Sequence, residues 1–393
     1  MKDVNLVILA GGIGSRIKNY LKNKPKPMAE FNGKSLLQYI IQCYTKYDFN
    51  NIYILTGFRS KIIINKFDGK IFNFVPIKCL KEKKRMGTGG ALNLIKKKIK
   101  KDFILINGDT ILDINPKILI NSCSNNSYGS MALVKNISYK KNKKLNNLDL
   151  INSRISYSKK SKLMNGGVYF FKRKIFSLIK RNNFSLEDEL LPKLIEKKLI
   201  CGCYSKDFFI DIGTPKNFLS ASNKLLKNFK RPAAFLDRDG VINYDYGYVN
   251  NIKKFKLRPG VIKALSLLKR KKYYIFLVTN QAGIGKGIFT EKQFTKLHKI
   301  LKIKFNKKEV YFDSVSYSPW HPKAKIKKYR KKSLFRKPGN LMIKKIISNW
   351  DINLKKSFMI GDKKTDFICA KNSKLYFEYA KDNLFFQIKD IVN

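Results

Sequence analysis

Two aspartates, spaced as Asp237-Arg-Asp239, stand at the end of the apolar run 233–236 and are followed by Gly240-Val-Ile-Asn243. One carboxylate placed there can attack phosphorus while its neighbour handles protons. Further along come Thr279-Asn280-Gln281, whose hydroxyl and amides suit phosphoryl oxygens, and Lys337-Pro338, which supplies a cation. The segment Ile360-Gly-Asp-Lys-Lys-Thr-Asp366 adds carboxylates suited to Mg²⁺. A second constellation opens the chain in Leu9-Ala-Gly-Gly-Ile-Gly-Ser-Arg16. Gly11, Gly12 and Gly14 have no side chains, so backbone N–H groups can approach a polyphosphate, and Arg16 can pair with its outer phosphates. Lys26, held between Pro25 and Pro27, suits the phosphate under attack. Asp109 and Asp211 follow separate apolar runs and can together hold one Mg²⁺.

Such residues need rigid elements that end beside them. In the first half, 4–9, 52–56, 103–106, 168–171 and 208–212 read as strands, and 35–47 has helical spacing. The lysine-rich stretch 136–162 reads as a loop or edge hairpin. After the basic joint 227–232, strands at 233–236, 273–278, 310–317 and 356–360 alternate with helices at 259–270, 290–305 and 340–349. Strand–helix alternation predicts an α/β chain with two doubly wound, mostly parallel sheets, one in residues 1–228 and one in 229–393. Ligands then bind at the carboxyl ends of the strands. His298, in a lysine-rich helix, is expected on a solvated face.

At 393 residues and 44% hydrophobic content, two ordinary domains can each bury a core. Lys and Arg number 83 against 27 Asp and Glu, for a net charge of +56. Such a balance would suit nucleic acid or an anionic membrane. The lysines are spread along the whole chain, however, and no aromatic-interleaved basic motif accompanies them. Nucleic acid is therefore not expected as a partner. A basic adaptor built on a dead scaffold is disfavoured by the retained carboxylates Asp109, Asp211, Asp237, Asp239 and Asp362. The charge instead suits anionic small-molecule substrates. The six cysteines form no CxxC pair, and no run of about 18 apolar residues predicts a membrane span. The start of the chain runs directly into a strand and glycine loop, so a cytoplasmic protein is expected. Gly283–Gly287 is not a nucleotide P-loop, because Gly287 stands where Ser or Thr belongs.

Residues 1–228 resemble the sugar-phosphate nucleotidyltransferases, most of all the D-glycero-D-manno-heptose 1-phosphate guanylyltransferases. The resemblance is carried by the glycine loop and by Met86-Gly-Thr-Gly-Gly-Ala-Leu92, Asn165-Gly-Gly-Val-Tyr169, Phe184–Pro192 and Phe209–Pro215. It implies a Rossmann-like domain in which Gly11, Gly12, Gly14, Arg16 and Lys26 grip the nucleoside triphosphate. Gly87, Thr88 and Gly89 would lie along base and sugar, Asn165, Gly166 and Glu187 would contact the sugar phosphate, and Asp109 with Asp211 would bind Mg²⁺. A Glu-Lys pair usual in that family is missing before Asn165, leaving Lys159 or Lys160 as the candidate.

Residues 229–393 resemble the haloacid-dehalogenase phosphatases. Tyr248-Val249, the 279–287 segment and Arg336-Lys-Pro338 point to the heptose 1,7-bisphosphate 7-phosphatase branch, close to histidinol phosphatases. The resemblance implies Asp237 as nucleophile, Asp239 as acid and base, and Thr279, Asn280 and Lys337 around the phosphoryl group. Mg²⁺ would be held by Asp237, Asp362 and the Asp239 backbone carbonyl, with Asp366 orienting the loop and Arg336 reaching the substrate's other phosphate. The zinc loop common in this branch has no cysteine here and only His321, so no structural zinc is expected. Together the halves imply removal of the 7-phosphate and nucleotidyl transfer, from GTP, to the heptose 1-phosphate. The alternative is a transferase for another sugar 1-phosphate, such as a hexose or mannose, joined to a histidinol-phosphate-like phosphatase.

Overall fold

The computed structural model describes residues 4–136 and 145–393. It divides into two compact units, Met1–Tyr44 with Phe49–Lys224, and Thr45–Asp48 with Leu225–Asn393.

Among the described residues, the first unit is built on a ten-stranded sheet. Its central strand β1 (Asn5–Ala10) lies parallel to β2 (Ile52–Thr56) on one side and to β4 (Phe103–Asn107) on the other, and β3 (Val75–Lys81) extends the β2 side. Strands β1, β2 and β4 are near-continuous apolar runs because both their faces are covered. Val7, Leu55 and Leu105 are buried on one face, and Leu6, Ile8, Ile54 and Ile106 are buried too. Helix α1 (Leu36–Thr45) is buried along its whole length. Beyond β4 the sheet turns mixed. The strand Leu163–Phe171, longer than its predicted 168–171, runs antiparallel to β4 and to Gly129–Lys135. Within the predicted loop, Asn146–Ile151 and Arg154–Tyr157 form the edge hairpin, while 137–144 lie outside the described residues. The predicted strand at 208–212 is Phe209–Asp211, and it leaves the main sheet to pair antiparallel with Thr110–Leu112.

The second unit holds a five-stranded sheet in which every neighbouring pair is parallel. Its central strand Ala233–Leu236 is flanked by Tyr274–Asn280 on one side and Phe358–Gly361 on the other, with Ser314–Ser318 and Tyr376–Tyr379 at the edges. Alternate residues go to opposite cores: Ala234, Leu236, Ile275 and Leu277 to one, Ala233, Phe235, Tyr274 and Phe276 to the other. The predicted strand at 310–317 begins only at Ser314, and just before it Asp313 is tied across to Ile275, its carboxylate accepting the Ile275 N–H and its own N–H donating to the Ile275 carbonyl, both at 2.8 Å.

In the helix Glu291–Lys307, Phe294, Leu297, His298, Leu301 and Phe305 form the buried stripe. His298 is therefore buried, contrary to the expectation of a solvated face. The helical period puts it in line with Phe294 and Leu301, while Lys292, Lys296, Lys299, Lys304 and Lys307 are exposed. Among the described residues no helix is long and apolar enough to cross a membrane.

Candidate active sites

In each unit the chain leaves the central strand at the point where successive connections diverge to opposite sides. That is where open parallel sheets bind ligands. β1 delivers Gly11 and Gly12 to this point, and Ala233–Leu236 delivers Asp237.

In the first unit a cleft of about 720 Å³ is lined by Gly11, Gly12, Arg16, Lys26, Asp109 and Asp211, among others. Pairing of Phe209–Asp211 with Thr110–Leu112 sets Asp211 opposite Thr110, which brings the two aspartates together. Lys26 makes a short ion pair with Asp109 and is almost fully buried. A Cβ on Gly213 would stand 2.8 Å from Asp211 Oδ1, 3.2 Å from Lys26 Nζ and 3.3 Å from Arg16 Nη2, so these three groups converge, with Asp109 joined through Lys26. Burial raises the Asp109 pKa, but the Lys26 ammonium outweighs it and holds the carboxyl below its ordinary range. Burial, and then the charge of Asp109, push Asp211 upward. A divalent cation fits this pair, because it would relieve the repulsion that raises Asp211.

Deeper in the cleft, Glu187 accepts hydrogen bonds from Thr88 Oγ1 (2.5 Å) and Asn107 Nδ2 (3.1 Å), and burial holds its pKa up. Asn165 donates to the Tyr169 hydroxyl (2.6 Å) and accepts from the Gly167 N–H (2.9 Å). Gly167, rather than Gly166, faces the cleft. Gly14 and Gly89 also lie off its lining: a Cβ on Gly89 would strike the Phe184 ring at 2.2 Å, a packing role. Lys159 and Lys160 are exposed in the turn after the edge hairpin, away from the lining. Sequence reasoning missed Glu82 and Arg85, which line the cleft just past β3. Their position at the carboxyl edge of a parallel strand was the available signal.

In the second unit Lys337 is 1% exposed and bridges two carboxylates, Asp237 Oδ1 at 2.9 Å and Asp366 Oδ1 at 2.6 Å. It also donates to the Val278 carbonyl at 2.8 Å. Burial pulls its pKa down, yet the two aspartates more than compensate and raise it. Asp366 further accepts the Lys363 N–H (3.0 Å), capping the helix Lys364–Asn372. The Asn280 amide clamps Lys337 from outside, accepting its N–H at 3.1 Å and donating to its carbonyl at 3.0 Å. Its side chain thus positions Lys337. Thr279 is buried beside them, accepting from Gln281 Nε2 at 2.9 Å. Arg336 is half-buried and turned to the Trp320 carbonyl (3.5 Å).

Ligand atoms of Asp237, Asp362 and Asp366 lie within 4.8 Å of one another. Asp362 Oδ1 is buried without a hydrogen-bond partner, and its carboxyl is pushed up to about 6 by burial and by the charge of Asp237. Asp237 is raised by burial as well, against the pull of Lys337. Gly240 keeps a positive φ of 86°, and a Cβ there would meet Asp362 Oδ2 at 2.4 Å, so only glycine admits that carboxylate. An orphaned oxygen amid crowded carboxylates fits a divalent cation.

Removing Lys337 would leave two buried carboxylates facing each other. In metal-free buffer, Lys337→Met is expected to destabilise the second unit by about 3–5 kcal/mol, read by urea unfolding.

Residues 5–145 match the nucleotidyl transferase family, and residues 334–376 match the HAD-hydrolase-like family. The D-glycero-beta-D-manno-heptose-1,7-bisphosphate 7-phosphatase of Rhodopseudomonas palustris is 38% identical over 142 residues, 36% of this chain and 79% of that protein. The D-glycero-alpha-D-manno-heptose-1,7-bisphosphate 7-phosphatase of Burkholderia mallei is 41% identical over 137 residues, 35% of this chain and 72% of that protein. Among solved structures, HddC from Yersinia pseudotuberculosis aligns at 27% identity and a TM-score of 0.48, over 56% of this chain and 99% of that one.

Proposed function

This chain belongs, through its C-terminal part, to the D-glycero-D-manno-heptose-1,7-bisphosphate 7-phosphatase family, and from that premise we propose a bifunctional, cytoplasmic sugar-activating enzyme. Residues 229–393 remove the 7-phosphate of a heptose 1,7-bisphosphate, and residues 1–228 join the resulting 1-phosphate to the GMP moiety of GTP. The observation that carries the reading is the shared layout of the sites. Each gathers buried or half-buried carboxylates and a buried lysine at the switch point of its own sheet, Asp109, Asp211 and Lys26 in one and Asp237, Asp362 and Lys337 in the other.

In the phosphatase, Asp237 attacks phosphorus while the bond to the C7 oxygen breaks and Asp239 gives that oxygen its proton. Water then attacks the aspartyl phosphate, with Asp239 taking the proton back, and Thr279 and Lys337 hold the phosphoryl oxygens. In the transferase, an oxygen of the sugar 1-phosphate attacks the α-phosphorus in line and pyrophosphate leaves. Arg16, Lys26 and the backbone of Gly11 and Gly12 offset the developing charge, and Glu187 and Asn165 orient the sugar phosphate. Mg²⁺, held by Asp109 with Asp211 and by Asp237, Asp362 and the Asp239 carbonyl, would neutralise phosphate oxygens.

Glu82 favours guanine as the base. Burial raises its pKa, against the Arg85 charge and the Met86 N–H, and a Cβ on Gly11 would stand 2.7 Å from its Oε1. A carboxylate offers two acceptors side by side, which match the adjacent N1–H and N2–H₂ donors of guanine and of no other common base. Glu82→Gln replaces one acceptor with a donor and is expected to cut the preference for GTP over UTP by about 1–3 kcal/mol, measured as a ratio of kcat/KM values.

The whole reading is tested with the purified chain, Mg²⁺, each anomer of heptose 1,7-bisphosphate, competing hexose and mannose 1-phosphates, and mixed nucleoside triphosphates. Phosphate, pyrophosphate and a GDP-heptose detected by mass spectrometry are expected. A hexose nucleotide formed in preference, or absence of either release, overturns the corresponding half.

A further inference from the structure

We propose that Arg238 is a positioning residue for Asp239, aiming its carboxylate for proton transfer, with His298 fixing the guanidinium from behind. The proposal rests on the acid–base reading of Asp239 given above. Arg238 lies between the two aspartates of the pair, yet its side chain is 0% exposed. Its guanidinium forks onto the next residue, with Nε at 3.2 and 3.1 Å and Nη2 at 3.0 and 2.8 Å from the two Asp239 oxygens. Nη2 also donates to the Val249 carbonyl at 2.9 Å. On the far side Nη1 lies 3.5 Å from His298 Nε2, and the Phe294 ring lies 5.6 Å from the guanidinium carbon. The His298 and Phe294 rings are 4.3 Å apart. Burial, and the Arg238 charge beside it, hold the His298 pKa well below its ordinary value, so a neutral ring backs the cation.

Asn243 Nδ2 (2.9 Å to Oδ1) and Gln281 Nε2 (2.9 Å to Oδ2) complete the grip on Asp239. A buried guanidinium is costly unless its donors are used, and a planar fork fixes orientation as a lysine point charge cannot. Here that fork is spent on the one carboxylate whose aim sets both proton transfers. The His298 contact explains why a buried histidine occupies the apolar stripe of a lysine-rich helix.

A misaimed Asp239 slows protonation of a sugar oxygen and deprotonation of water. It does not slow phosphoryl transfer to Asp237 from a leaving group that needs no proton. The test compares Arg238→Lys, His298→Gln and Asp239→Asn with the unaltered full chain in Mg²⁺, on heptose 1,7-bisphosphate and on p-nitrophenyl phosphate. For Arg238→Lys, turnover of the sugar phosphate is expected to fall by about 100-fold or more. The first-turnover burst of p-nitrophenolate should stay within about threefold of the unaltered chain, with aspartyl phosphate accumulating to acid quench because its hydrolysis is slowed. His298→Gln should show the same selectivity with a smaller loss, and it serves as the readout if Arg238→Lys does not fold. Equal losses on both substrates, or none on either, overturn the proposal. If Asp239→Asn itself lacks the selectivity, the acid–base reading fails. If Asp239→Asn shows it while the Arg238 and His298 variants do not, only the positioning role fails.

Discussion

Asp237→Asn should abolish phosphate release from heptose 1,7-bisphosphate, by on the order of 10⁵-fold or more, as loss of a covalent nucleophile does elsewhere. The substitution is nearly isosteric. The amide oxygen can still accept the Arg238 N–H now bound at 2.8 Å, so the turn after the central strand should persist. What is lost is the anionic oxygen that attacks phosphorus, which an amide cannot replace. Nucleotidyl transfer to a supplied heptose 1-phosphate is expected to continue, because that chemistry uses Lys26, Asp109 and Asp211. Phosphate and pyrophosphate are assayed separately on the same preparation. Loss of both releases, or retention of phosphate release, contradicts the assignment.

The converse result is expected at Lys26. Lys26→Ala should lower nucleotidyl transfer by about 10²–10³-fold, mainly in kcat, while phosphate release from the bisphosphate persists. The ammonium is buried, paired with Asp109 and aimed at the point where Arg16 and Asp211 also converge. Its removal takes away a preorganised charge and strands Asp109 beside Asp211, where the like charge already raises the Asp211 pKa. Lys26→Arg is expected to recover little. The ammonium is almost fully buried against Asp109, so the longer, planar guanidinium would have to displace its neighbours. Pyrophosphate release with varied GTP separates the kcat effect from KM. A pure KM effect would place Lys26 in binding alone.

Much of each site was legible because its residues follow strands directly. Asp237 comes straight after an apolar run, and Gly11 and Gly12 after another, so short-range pattern located them. Asn280 was legible as a position but not as a role, since its amide is taken up by a peptide 57 residues away. Gly166 and Gly167 are adjacent and chemically alike, and only the backbone turn at Gly167, with φ of 69°, puts the second of them in the cleft. His298 was misread because lysines dominate its helix by number, while burial follows the helical period.

Taken alone, the sequence determined the two kinds of phosphorus chemistry and the α/β architecture, and it singled out the carboxylates and lysines proposed to serve that chemistry, because those depend on residue type and on neighbours along the chain. Only the tertiary structure decided which distant groups meet. The Thr110–Leu112 pairing with Phe209–Asp211 joins Asp109 to Asp211, Lys337 wedges between Asp237 and Asp366, and Arg238 turns inward onto Asp239 and His298. Each of these needs a charge withdrawn from water and compensated across space, and no spacing along the chain encodes that balance.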